Sequence, residues 1–76
     1  MTKEDLFEKI EDISILHPQG IPGFIANEFP TQITSLLDEG KIIKMESPHI
    51  SGPAGEYYIL PENEQACEKS LNLRKA

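Results

Sequence analysis

Hydrophobic residues recur at two different periods along this chain, and the change of period marks its organisation. Ile33, Leu36 and Leu37 sit at i, i+3 and i+4, the spacing of one helix face. With Thr31 as N-cap and Gly40 where a left-handed residue would end it, the spacing predicts a short helix from Thr31 to Glu39. Beyond it the period falls to two. Ile42, Ile43 and Met45 precede a stretch rich in Pro, Gly and Ser, and Tyr57, Tyr58, Ile59 and Leu60 follow, which reads as strand, long loop, strand. Alternation groups Ile43 with Met45 against Ile42, Lys44 and Glu46, and on the return groups Tyr58 with Leu60 and Tyr57 with Ile59. Hydrophobicity alone leaves open which set covers the helices.

The same reading applies upstream. Thr2 and Asp5 have the spacing of a capping box and acids crowd the first turn, so a helix is expected to begin near Lys3. Leu6, Ile10 and Ile13 share one face with Phe7 at its flank, whereas Ile15 points nearly the opposite way; the regular helix is therefore expected to loosen near Ser14, and Pro18 to end it by residue 17. Glu4, Glu8, Glu11 and Asp12 make its outer face acidic, with Lys3 and Lys9 in partial compensation, as on a solvated helix surface. After a turn at residues 17–20, Pro22 suits a first helical position, and Phe24, Ile25, Glu28 and Phe29 predict a second helix of about two turns, weakened by Gly23. Phe29 and Pro30 then form the turn into the third helix. The expected core is Leu6, Ile10, Ile13, Phe24, Ile25, Ile33, Leu36 and Leu37.

Downstream, Pro61 closes the second strand. The polar stretch from Glu62 to Arg74 has acids at its front and Lys69, Arg74 and Lys75 at its back, which fits either a fourth helix or a tail. Leu71 and Leu73 lack an assigned partner, so this segment is expected to pair with a second copy or to lie across the first helix.

The order of helix, LLDEGKI, strand, loop and aromatic strand resembles the third helix and wing of the winged helix-turn-helix family. The resemblance implies a small α+β domain over residues 1–61, in which a three-helix core with a helix-turn-helix is followed by a two-stranded hairpin wing. It also implies a very short strand at Gly20–Ile21, and it leaves residues 62–76 as a C-terminal helix or tail. Winged helices bind DNA, RNA or other proteins, so the resemblance implies binding and not one particular target.

Composition narrows this further. At 76 residues the chain fits one domain near the lower size for a self-sustaining core, where self-association would help. A single cysteine excludes an internal disulfide, and Cys67, His17 and His49 lack zinc spacing, so no cofactor or metal is predicted. Both histidines fall in turn or loop contexts, the glycines of GIPG and SGPAG lack the lysine of a phosphate loop, and the acids of the first helix do not converge; neither an enzyme nor a small-molecule site is expected. No apolar run has the length of a membrane span, and Glu4, Asp5 and Glu8 stand where a signal peptide would be basic, so a cytoplasmic protein without a membrane partner is expected.

Thirteen acidic against seven basic residues give a formal charge of −6, which disfavours nucleic acid. The distribution matters more than the sum. Between Phe29 and Leu37 no side chain ionises, and between Ser47 and Gly55 only His49 does. Thr31, Gln32, Thr34 and Ser35, with Ser47, His49 and Ser51 in the wing, therefore form a charge-poor candidate face, flanked by the cations Lys41 and Lys44. Two functions remain open for it. One is a regulator-like module that binds double-stranded DNA weakly, or as part of a dimer or larger assembly. The other is an acidic protein–protein interaction module using the same face.

Overall fold

The computed structural model describes residues 1–47 and 55–75. It is an α+β arrangement of four helices and one four-stranded antiparallel sheet. In chain order the elements are α1 (Lys3–Leu16), β1 (Ile21–Pro22), α2 (Gly23–Ala26), α3 (Pro30–Asp38), β2 (Ile43–Glu46), β3 (Glu56–Ile59), a 3-10 turn (Pro61–Asn63), α4 (Glu64–Ser70) and β4 (Arg74–Lys75). The strand order is β1-β3-β2-β4, so the expected hairpin forms the centre of a wider sheet.

Helix α1 begins as its sequence demands: Thr2 is extended, and its Oγ1 accepts the Asp5 N–H at 3.1 Å. It does not loosen at Ser14: the helix continues to Leu16, and the buried Ser14 hydroxyl is satisfied by donating to the Ile10 carbonyl at 2.6 Å. His17, ahead of Pro18, ends it. Helix α3 starts one residue earlier than expected, with Pro30 at its first position and Phe29 as N-cap; Thr31 lies inside the helix and caps nothing. It ends at Asp38, with Glu39 as C-cap, one residue before the expected end, and Gly40 is left-handed as expected. Gly40 takes φ +73°, its N–H donates to the Leu37 carbonyl, and the Lys41 N–H reaches back to Leu36, so two otherwise orphaned carbonyls are satisfied.

The second helix differs most from expectation. It is a single turn with Pro22 as its N-cap, and the small residues Gly23 and Ala26 face the core. Phe24 and Ile25, expected inside, are 53% and 37% exposed. Both small residues allow the turn to lie close against the sheet, which rotates its large side chains outward.

The alternation left open in the hairpin is resolved by burial on both faces. On the helix side Ile42, Tyr58 and Leu60 join Leu6, Ile10, Ile21, Ala26, Ile33 and Leu36, with Phe7, Ile13, Phe29 and Leu37 packed around them. On the other side Met45 and Ile59 are covered by Cys67 and Leu73, with Ile43 and Tyr57 at the margin. The C-terminal segment therefore lies neither across α1 nor loose as a tail; it closes the second face of the sheet. The Cys67 thiol donates to the Pro18 carbonyl at 3.3 Å, Asn72 turns the chain at φ +57°, and β4 pairs with β2 through Met45↔Lys75 and Glu46↔Arg74. Leu73 is buried here, whereas Leu71 is 44% exposed.

Gly20 sets the entry of β1 into the sheet. It has φ +64°, and a Cβ built on it would stand 2.1 Å from the Tyr58 carbonyl oxygen. Gly20→Ala is expected to cost about 1–2 kcal/mol for the left-handed backbone and about 1–3 kcal/mol more for displacing the strand. Gly40→Ala, where a Cβ meets nothing within 4 Å, should carry only the first of these costs. Leu36→Ala, at a fully buried position, should cost about 2–5 kcal/mol. Urea unfolding of the three variants checks the order; equal losses for the two glycine variants would remove the steric role of Gly20.

Candidate functional site

The face singled out by its lack of charge is built by α3 and the distal half of the β2–β3 hairpin. Ile33 and Leu36 anchor α3 in the core, so the residues it presents to solvent are Pro30, Thr31, Thr34 and Asp38. Thr31 is exposed. Thr34 is exposed as well, with its hydroxyl donating to the Pro30 carbonyl at 2.9 Å. Gln32 and Ser35 are half-buried, and the Gln32 amide donates to the Met1 carbonyl at 2.7 Å, which ties the start of the chain to α3. Gln32 thus has a structural partner that no local pattern announces.

Both lysines beside this face are matched by carboxylates. Lys41 lies 3.4 Å from Glu39 and 5.5 Å above the centre of the Phe7 ring, so its charge is held over α1. Lys44 lies 3.4 Å from Glu56 across the hairpin. Glu39 also receives a hydrogen-bonded ion pair from Lys3. That Lys3 bond, aided by Lys41, holds the Glu39 carboxyl below its usual range and raises Lys3 above its own.

At its outer end the hairpin is acidic. Glu46 and Glu56 are directly opposed across the strands, a like-charge pairing that the diagonal Lys44 only partly offsets. The half-buried Ser47 donates its N–H to the Gly55 carbonyl at 2.6 Å just beyond that rung. His49 and Ser51 lie outside the described residues. The structure therefore brings Thr31 and Thr34 onto one exposed surface of α3 and binds Lys41 and Lys44 into ion pairs. A face neutral by sequence acquires a negative border.

His17 is exposed at the end of α1, and Cys67 is buried with its thiol on a backbone carbonyl, its ionisation pushed up by that burial. Among the described residues no three His, Cys, Asp or Glu side chains converge as metal ligands, and no helix is long and apolar enough to cross a membrane.

The feature that sequence reasoning missed is apolar exposure on α2. A signal for it was present: Gly23 and Ala26, three apart in a single turn, occupy the one face that can be buried and leave Phe24 and Ile25 outside. No protein-family model, curated protein or solved structure matches the chain.

The shared carboxylate of Glu39 predicts a pH response. Its lowered folded value means that the unfolded chain binds more protons, so its contribution is present at neutral pH and is lost as pH falls through the folded value. Lys3, raised in the fold, contributes below its unfolded value and loses that contribution as pH rises through its folded one. Glu39→Gln should lower the melting temperature slightly at neutral pH and flatten its decline at acid pH. Thermal melts across pH at low salt check this, and a parallel decline in both proteins would remove Glu39 from the acid response.

Proposed function

We propose that the chain is a non-enzymatic winged-helix module that works by holding a protein partner on the outer face of α3 and the adjoining hairpin. The arrangement of α1, β1, α2, α3, β2 and β3, with β3 between β1 and β2, supports the winged-helix reading, since it contains the two closely spaced helices and the hairpin that the family resemblance implies. The observation that carries the choice of a protein over duplex DNA is the pairing of Lys41 and Lys44 with Glu39 and Glu56. Phosphate contacts supply a large share of DNA affinity, and here a phosphate would have to displace a carboxylate already in place, next to the opposed Glu46 and Glu56. A protein surface makes no such demand; its central contacts favour few charges, as at Thr31 and Thr34.

Those two threonines also favour a second reading. Exposed hydroxyls on a helix face can reach base edges in the major groove, so a regulator-like module that binds DNA weakly, or inside a dimer or larger assembly whose other member supplies the cations, uses the same surface.

Anisotropy titration against random duplex DNA at low salt separates the two. The expected result is no saturable binding. Affinity that falls steeply with salt would place DNA first. A photo-crosslinking side chain at Thr34 should capture protein in the native host and lose that capture on Thr31→Glu, while the same probe at Glu11 on α1 should not respond. Both Thr31 and Glu11 are exposed, so the fold should tolerate these changes. Identical adducts from the two probe positions would move the working surface away from α3.

A further inference from the structure

We propose that the groove between α1, β1 and α2 is the contact surface for a second copy of this chain, the two copies meeting about a two-fold axis. It is independent of the reading given to α3. Two adjoining hollows, of about 360 Å³ and about 250 Å³, share Ile13, Ile21 and Ile25 as common walls. Phe24 borders the first and Met1 the second, and both are more than half exposed. Large apolar side chains thus stand beside apolar depressions, so one patch holds both what a partner inserts and what receives it. A two-fold contact demands that combination, because each copy presents the same surface to the other. In a chain of 76 residues, near the lower size for a self-sustaining core, covering this patch adds apolar burial that one copy lacks.

The charges at the groove point to the same occupant. Lys9, from α1, and Glu28, from the segment after α2, both line the second hollow. Both are exposed, and among the described residues neither takes part in an ion pair, whereas Lys3, Lys41 and Lys44 are each matched within the chain. A two-fold axis between these side chains sets Lys9 of one copy against Glu28 of the other, and forms the pair twice. The Met1 amine and Lys9 stand against Glu28 alone in that lining, and no carboxylate lines the first hollow. The patch is therefore neutral to slightly cationic on a chain of formal charge −6, and two anionic copies meet here without opposing their acids.

Sedimentation equilibrium of the full chain over a concentration series is the test, and a reversible monomer–dimer equilibrium is expected. Phe24→Ser with Ile25→Gln should raise the dissociation constant by about tenfold or more, with circular dichroism melts showing that the variant remains folded. Lys9→Glu and Glu28→Lys, each alone, should weaken the dimer by about tenfold, since each sets like charges together twice. An equimolar mixture of these two variants should recover the wild-type constant, because each then offers the charge that the other's altered position needs.

A chain that sediments as a monomer at its highest soluble concentration would overturn the second copy and leave the groove to a different partner. A dimer unchanged in the folded Phe24 and Ile25 variant would place the contact on another face. A dimer that neither charge reversal weakens, or that mixing fails to restore, would overturn the two-fold pairing. If the Phe24 and Ile25 variant fails to fold, the mixing experiment decides by itself, since Lys9 and Glu28 are exposed and their reversal should leave the fold intact.

Discussion

Strand β3 is flanked on both edges at Tyr57 and Tyr58 and covered on both faces at Tyr58 and Ile59, and that constraint orders the rest of the molecule. It lies between β1 and β2, presents Tyr58 to the helices with Leu60 just beyond, and presents Tyr57 and Ile59 to the C-terminal segment. A strand buried on both sides requires a cover on both sides. The helices supply one, and the residues after Pro61 supply the other. The approach of β1 is equally restricted, because only a residue without a Cβ can sit at position 20 against the Tyr58 carbonyl. The direction in which the chain leaves α1 and enters α2 follows from that contact.

Much of this was legible in the sequence where a single element carried its own signal. The Thr2 cap, the stop before Pro18, the face formed by Ile33 and Leu36 and the left-handed Gly40 are local facts of backbone chemistry, and the structure has each of them. What could not be read was settled by tertiary contact. Ile42 and Ile43 are the same residue type side by side, and only the packing of Cys67 and Leu73 on one face decides which of them joins the helices. Phe24 and Ile25 have the hydrophobicity of buried helix residues, yet Gly23 and Ala26 take the inner face of a turn too short to have two. At the candidate face the sequence showed where charges were missing. It could not show that Glu39 and Glu56 would reach Lys41 and Lys44 and neutralise the cations nearby.

The electrostatics of the chain are therefore local matters more than a matter of net charge. Lys3, Lys41 and Lys44 are each engaged by a carboxylate of the protein, while the acids along the outer side of α1 face solvent. Exposed pairs of this kind contribute little to stability. Their effect is on recognition, since they remove accessible positive charge from the surface beside α3.

The two outer strands carry a consequence for how this domain meets other chains. Among the described residues each is two residues long; β1 contains Pro22, which has no N–H to offer, and β4 consists of Arg74 and Lys75, both exposed. An incoming strand would find almost no ladder to extend on either side, and charge on one of them. Recognition by β-augmentation and propagation into fibrils are both discouraged by this geometry. The surfaces these two strands leave for contact are made of side chains more than of backbone.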